Sequence, residues 1–325
     1  MDERFARKLQ RKCFSSIGWA VFVYLIILNA CVLVFTLWDM IVISVQQMNG
    51  VVYTEDEVNA VLMSNGWGYL VTILVGLVAL RLWEGKKFFR ETLWTRGKPM
   101  GVGDFFCLLA LALGIQLVFT ILTGILEMLF NLFGLTLMDS VEAATAGADT
   151  FSMFLYMGVG APIAEELLFR GLVLRRLEPY GKRFAIVMSA FAFGVFHGNL
   201  VQIPYTFLIG LVLGYTALEH NILWAMVLHM INNLVLGDML TRLTSFLPEF
   251  VGNGILGLVI LTSAAAALAI LIVRKQEISV YRRENRIDGK YTASFFTAPG
   301  MIALMIFAFL SAVSPIIVQI VEKLA

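Results

Sequence analysis

Two adjacent carboxylates and an arginine interrupt an otherwise apolar stretch of the chain, at Glu165, Glu166 and Arg170. Apart from these charges, residues 151–174 have the composition of a membrane helix. Inserting a charged side chain within a membrane helix costs about 3 kcal/mol of free energy on insertion scales, so such side chains are rare and usually functional. On a helix Glu166 and Arg170 share a face, whereas Glu165 lies about 100° round. We therefore predict that Arg170 neutralises Glu166 and that Glu165 performs chemistry. A purely structural ion pair between packed helices is the alternative.

Three further polar groups are candidates for the same site. His197 follows a run of aromatic and small residues, in which Gly194 permits the close approach of a second helix. His229 and Asn233 are four residues apart and share a helical face. For each of these residues, a hydrogen bond between packed helices is the alternative to catalysis. His220 lies in a short polar segment, and we predict that it is a solvated loop residue.

The predicted depths of these groups agree. Counted along the helices from the side that carries the basic loops, Glu165 lies about 14 Å deep, His229 about 10 Å and His197 about 20 Å. These side chains and Asn233 should therefore lie in one slab of the membrane. A carboxylate, two imidazoles and a carboxamide in a dry cavity can activate a water molecule and stabilise an oxyanion.

The composition is that of a polytopic membrane protein. Hydrophobic residues make up 59% of the 325 residues and charged residues only 14%, compared with about 25% in soluble domains. A net charge of +1 gives no reason to expect a nucleic acid as partner. The N-terminal apolar run has no convincing small-residue cleavage site, and we predict an uncleaved first span.

Nine apolar segments predict an all-α bundle of eight or nine transmembrane helices that encloses a polar cavity. They are residues 16–45, 66–82, 103–134, 151–174, 184–198, 202–218, 222–240, 254–273 and 301–322. The count stays at eight or nine because the fifth segment is short and Pro204 lies in the first turn of the sixth. We expect one membrane domain over residues 1–325, with the catalytic core in residues 151–240.

The basic residues indicate the orientation. Most of the 24 Lys and Arg residues precede the first apolar segment or lie near the connections that follow the second, fourth and eighth segments. The loops 46–65 and 135–150 contain none. The positive-inside rule then places the N-terminus and the loops 83–100 and 274–300 in the cytoplasm. We expect an integral, multi-pass protein of the cell membrane.

The motifs resemble those of the CAAX-protease and bacteriocin-processing family, also called the Abi family, of intramembrane metalloproteases. The three motifs of that family are EExxxR, FxxxH and a histidine followed four residues later by Asn or Asp. They are matched in order by Glu165, Glu166 and Arg170, by Phe193 and His197, and by His229 and Asn233. The resemblance covers about residues 155–240, and three motifs in order at membrane depth are far more specific than any one alone.

The resemblance implies a membrane endopeptidase with a hydrophilic cavity in a helical core. It implies that Glu165 and His197 activate the attacking water. His229 and Asn233 would help to hold the oxyanion. The resemblance further implies that three residues support the fold of the site, and these are Glu166, Arg170 and Phe193.

The resemblance leaves the role of a metal open. The family is labelled a metalloprotease family, but the chain has no H-E-x-x-H helix. His197, His229 and Glu165 can be written as three ligands of a catalytic zinc. Glu165 would then no longer be the base, so we favour water activated by a glutamate and a histidine.

Family members cleave prenylated C-terminal peptides, process peptide pheromones or bacteriocins, or confer self-immunity. We therefore expect a membrane-tethered peptide or protein as the partner, met at the lipid bilayer. A non-catalytic scaffold or bacteriocin self-immunity protein is one alternative. An ion-coupled transporter with a buried relay is a weaker one, because only the break at 198–204 fits a discontinuous helix.

Overall fold

The computed structural model describes residues 3–89, 93–95, 97–145, 150–236 and 244–324, and these form helices and connecting loops without a strand. In chain order the helices are α1 (Glu3–Met48), α2 (Glu55–Met63), α3 (Gly66–Lys87), α4 (Val102–Asn131), α5 (Met138–Thr145), α6 (residues 151–177), α7 (Lys182–Phe196), α8 (Gln202–Glu219), α9 (Ile222–Leu236), α10 (Glu249–Val273), α11 (Lys275–Glu284), α12 (Gly289–Phe296) and α13 (Pro299–Leu324).

The predicted all-α, polytopic membrane fold is confirmed. Five stretches of the described chain are long and apolar enough to cross a membrane, and they lie in α1, in α2 with α3, in α4, in α10 and in α13. The other four predicted segments correspond to α6, α7, α8 and α9. The end of the predicted segment 222–240 lies outside the described residues. That all nine segments cross the bilayer stays a prediction.

The inner helices α6 to α9 bury much of their surface in protein. α7 buries residues along most of its length, whereas α10 has no buried residue and packs against α4. α1 and α3 pack against each other and against α6, and α13 packs against α1 and α7. Polar side chains on the inner helices therefore face other helices, where backbone and charged groups can find partners.

Small residues bring α7 and α8 into close contact, as predicted for Gly194. A Cβ atom on Gly194 would lie 3.0 Å from the carbonyl oxygen of Ile203, and one on Gly210 would lie 2.9 Å from Cα of Ala190. The two backbones can approach this closely only because the side chains are absent. This contact places the carbonyl groups of α8 beside the charged part of α6.

The break predicted at 198–204 is a sharp turn between α7 and α8. Gly198 has a φ of +53°, in the left-handed region that favours glycine. The side-chain oxygen of Asn199 accepts hydrogen bonds from the backbone N–H groups of Val201 (3.0 Å) and Gln202 (3.3 Å). Pro204 is tolerated in the first turn of α8 because helix N–H groups there need no helical partner.

The loop 274–300, predicted to be cytoplasmic, contains the two helices α11 and α12. Tyr281 of α11 donates a hydrogen bond to Glu219 at the end of α8 (3.2 Å), and Lys182 of α7 forms an ion pair with the same carboxylate (2.8 Å). Burial, and after it the charge of Glu219, raises the pKa of Tyr281. These contacts hold the loop against the ends of α7 and α8.

His220 is buried, so the prediction of a solvated residue was wrong. Its side chain is 6% exposed, and Nδ1 lies 3.1 Å from the carbonyl oxygen of Lys98. The backbone N–H groups of Gly97 and Lys98 also donate to the carbonyl groups of His220 and Glu219. Local composition could not reveal this pairing, because the two loops are far apart in the sequence.

Candidate active site

A buried ion pair joins Glu166 and Arg170 on α6. Nη1 of Arg170 lies 3.0 Å from Oε1 of Glu166, and neither side chain is exposed. Nη2 of Arg170 also donates to the carbonyl oxygen of Gly210 on α8 (3.4 Å). The ion pair predicted from the four-residue spacing is therefore present, and it links α6 to α8.

His229 of α9 lies between the two glutamates. Its Nδ1 is 2.9 Å from Oε1 of Glu166, and its Nε2 is 3.7 Å from Oε2 of Glu165. A carboxylate only accepts hydrogen bonds, so Nδ1 carries a hydrogen and Nε2 faces Glu165. A carboxylate that holds one imidazole nitrogen in this way fixes the orientation of the ring.

Glu165 is the more accessible of the two carboxylates. Its side chain is 18% exposed, whereas that of Glu166 is fully buried. The α-helical segment Ala161–Glu166 carries both residues and lies between two π-helical segments of α6, Tyr156–Gly160 and Leu167–Val173. Such π-helical turns are rare and often occur at functional sites.

Phe193 of α7 lies at the centre of this group. The guanidinium carbon of Arg170 is 4.3 Å from the centroid of its ring, close enough for a cation–π interaction. The rings of His197 and His229 contact the same phenyl ring edge-on, at centroid distances of 4.9 and 5.7 Å. One aromatic side chain thus contacts the arginine and both histidines.

His197 follows the last residue of α7, immediately before the turn. Its Nδ1 lies 2.8 Å from the carbonyl oxygen of Phe193, so Nδ1 carries a hydrogen and Nε2 of the neutral ring carries a lone pair. The half-buried ring lies within electrostatic range of both Glu165 and His229. Nε2 of His197 can therefore accept a hydrogen bond from a water molecule.

Asn233 lies one turn beyond His229 on α9. One hydrogen of its amide is donated to the carbonyl oxygen of Met157 (3.1 Å), and its oxygen accepts from Asn232 (3.4 Å). An asparagine amide has two hydrogens, so one donor remains for a reacting group. The contact with Met157 attaches this donor to the π-helical part of α6.

Sequence reasoning missed several residues around the site. Asn232 is buried and shares hydrogen bonds with Tyr205 of α8, and the tandem asparagines were its only signal. Tyr24 of α1 and Tyr156 of α6 are close enough to Glu165 for their hydroxyl groups to interact electrostatically with its carboxylate. The ring of Tyr156 also stacks on that of Tyr69, with a centroid distance of 4.8 Å. Tyrosines are common in membrane helices, so their type alone gave no signal.

The side chains do not fit a three-ligand metal site. No three His, Cys, Asp or Glu side chains within the described ranges are arranged to hold a metal ion. Nδ1 of His229 is held by Glu166 and Nδ1 of His197 by a backbone carbonyl, so only Nε2 of each ring is available to a ligand.

Comparison with known families agrees with the position of the motifs. Residues 147–235 match the model of the Rce1-like family, described as type II CAAX prenyl endopeptidase Rce1-like. This range contains all three motifs, so the resemblance to CAAX proteases is confirmed for the part of the chain that carries the site. No curated protein and no solved structure was found that matches the chain.

Proposed function

We propose that the protein is an intramembrane endopeptidase that hydrolyses a peptide bond of a membrane-tethered peptide or protein. The observation that carries the proposal is the distance of 3.7 Å between Oε2 of Glu165 and Nε2 of His229, within a segment that matches CAAX prenyl endopeptidases. A partly exposed carboxylate beside an oriented imidazole is suited to general acid–base catalysis.

In the proposed mechanism Glu165 is the general base. Its carboxylate takes a proton from a water molecule that also donates a hydrogen bond to Nε2 of His197. The water oxygen adds to the carbonyl carbon of the scissile bond, and the carbonyl oxygen becomes an oxyanion. Glu165 then gives the proton to the departing amine nitrogen, and the C–N bond breaks.

The oxyanion is stabilised by donors on α9. Asn233 retains one amide hydrogen, and a hydrogen on Nε2 of His229 would be a second donor on the side of Glu165. Donors of this kind act strongly in a site from which water is largely excluded. Glu166 and Arg170 contribute by holding the imidazole of His229 and the packing of α6 against α8.

A cleavage assay with a prenylated peptide tests the proposal. The full chain in lipid nanodiscs is incubated with a farnesylated peptide that ends in cysteine, two aliphatic residues and one variable residue. We expect mass spectrometry to detect release of the C-terminal tripeptide, and much slower release from the same peptide without the lipid. A second substrate, a peptide tethered by an apolar helix, covers the other class of processing. If neither tethered substrate is cleaved, the proposal is contradicted.

A further inference from the structure

A basic groove lies on the side of the bundle predicted to be cytoplasmic, and none of its lining residues belongs to the three motifs. Its volume is about 790 Å³, and it is formed where α1 begins, α3 ends and α13 begins. Arginine, lysine and tryptophan side chains line most of it, and they are Arg7, Lys8, Arg11, Lys12, Trp19 and Trp83. We call this feature the α1 groove.

The charged side chains that the structure describes in the α1 groove are all basic. Positions 7, 8, 11 and 12 lie on one face of α1, because residues four apart are neighbours on a helix. The groove is lined by no acidic residue among the described side chains. The nearby carboxylate of Glu84, next to Trp83, is bound by Arg176 at 2.6 Å. Arg176 also donates to Ser16 of the groove (3.1 Å), so this neutral ion pair lies at its wall.

The walls of the α1 groove are fixed by tight helix packing. A Cβ atom on Gly18 would lie 2.3 Å from the backbone of Gly300, so α1 and α13 touch backbone to backbone. The N–H of Gly300 donates to Oγ of Ser15 (3.1 Å), and Arg11 donates to the carbonyl oxygen of Thr297 (3.1 Å). A ligand would therefore enter a largely preformed site, which reduces the entropic cost of binding.

The aromatic and apolar surroundings indicate a lipid rather than a soluble anion. Trp19 and Trp83 are 39% and 48% exposed, and tryptophan is enriched where membrane helices meet the headgroup layer. Further along the same three helices, Ile26, Val78 and Ile306 are exposed apolar residues. These helices therefore offer apolar surface to acyl chains beyond the groove.

We propose that the α1 groove binds the headgroup of an anionic phospholipid of the adjacent leaflet. The lysines and arginines pair with the phosphate, and the tryptophans flank the glycerol region. A lysine near an anionic membrane surface contributes about a fivefold gain in binding, so two lysines contribute roughly 30-fold. The proposal is independent of whether the Glu165 site is catalytic.

Lipid binding to the purified full chain tests this proposal. The chain in neutral detergent is titrated with phosphatidylglycerol, and the bound lipid is counted by native mass spectrometry. The test variant is Lys8→Gln with Lys12→Gln, which keeps the bond between Arg11 and Thr297. The matched control is Arg282→Gln with Arg283→Gln, which removes the same charge from two exposed residues of α11 outside the groove. Phosphatidylcholine and inorganic phosphate are titrated in parallel.

We expect phosphatidylglycerol to bind the wild type and the α11 control alike, and the groove variant roughly 30-fold more weakly. Lys8→Arg with Lys12→Arg should restore binding, which excludes a general defect in folding. Equal binding by the groove variant and the control would overturn the proposal. Saturation by inorganic phosphate, or binding of phosphatidylcholine as tight as that of phosphatidylglycerol, would also overturn it.

Discussion

Nδ1 of His229 lies 2.9 Å from Oε1 of Glu166, and both side chains are buried. The same carboxylate oxygen is 3.0 Å from the guanidinium of Arg170. Glu166 therefore holds a positive charge on its own helix and an imidazole from α9 at the same time. This arrangement leaves Glu165, one residue earlier, as the carboxylate that faces Nε2 of His229.

The first prediction concerns Glu166→Gln. The substitution leaves Arg170 buried without a counter-charge, so we expect a loss of about 3–5 kcal/mol in the free energy of unfolding and less folded protein. Glutamine still offers an oxygen to His229, so any folded fraction should retain some cleavage. The double variant Glu166→Gln with Arg170→Met should recover much of the lost stability, because no charge remains unpaired. Thermal unfolding in detergent measures the stability of the single and the double variant. An unchanged melting temperature for the single variant would contradict the role of Glu166 as the counter-charge of Arg170.

The second prediction concerns Asn233→Ala. If the remaining amide hydrogen of Asn233 stabilises the oxyanion, its removal should lower kcat by about 10²–10³-fold with little change in KM. Asn29→Ala is the matched control, because Asn29 lies in a membrane helix and donates to Leu25 of its own turn. Steady-state kinetics on the prenylated peptide compare the two variants. Equal losses in both would show that Asn233 has no special role.

The third prediction concerns the contact between α7 and α8. In Gly210→Ala the new methyl group would meet the backbone of Ala190 at 2.9 Å, so the helices must separate, at a cost of about 1–3 kcal/mol. The carbonyl of Gly210 also accepts from Arg170, so cleavage should fall as well. Gly257→Ala in α10 is the control, because a methyl group there meets no atom within 4 Å. A thermal shift of the same size in both variants would contradict the packing argument.

How far the sequence predicts the site depends on the distance between the partners. The pair Glu166 and Arg170 could be predicted because a helix brings residues four apart together. The contact between His229 and Glu166 could not, since it joins two helices whose relative rotation is decided by packing across the bundle. Gly194 indicated that another helix would approach α7 closely, but it did not indicate that this helix would be α8.

The remaining differences have similar physical causes. The π-helical turns of α6 change which residues share a face, and no residue type marks them. Asn232 and Tyr205 form a hydrogen bond between two helices, so neither is recognisable from its own segment. The composition predicted the apolar helices well, because burial in lipid requires long apolar stretches.

The fourth prediction concerns topology. The basic loops 83–100 and 274–298 should be cytoplasmic and the loop 46–65 external, by the positive-inside rule. In a chain whose three cysteines are replaced by alanine, Val52→Cys should react with an impermeant thiol reagent in intact cells. Arg283→Cys should react only after the cells are permeabilised. The reverse pattern would overturn the orientation and the leaflet assigned to the α1 groove.

The most direct test of the catalytic role proposed for Glu165 is the cleavage rate of Glu165→Gln compared with that of Glu127→Gln. Glu127 lies near the C-terminal end of α4 and belongs to none of the three motifs. Its carboxylate accepts hydrogen bonds from Thr136 and Leu137. Both variants are purified as folded protein and assayed on the prenylated peptide at equal concentration. We predict that Glu165→Gln loses cleavage with little change in melting temperature, because Glu166 still pairs with Arg170, while Glu127→Gln keeps cleavage. A folded Glu165→Gln variant that cleaves at the wild-type rate would contradict the account.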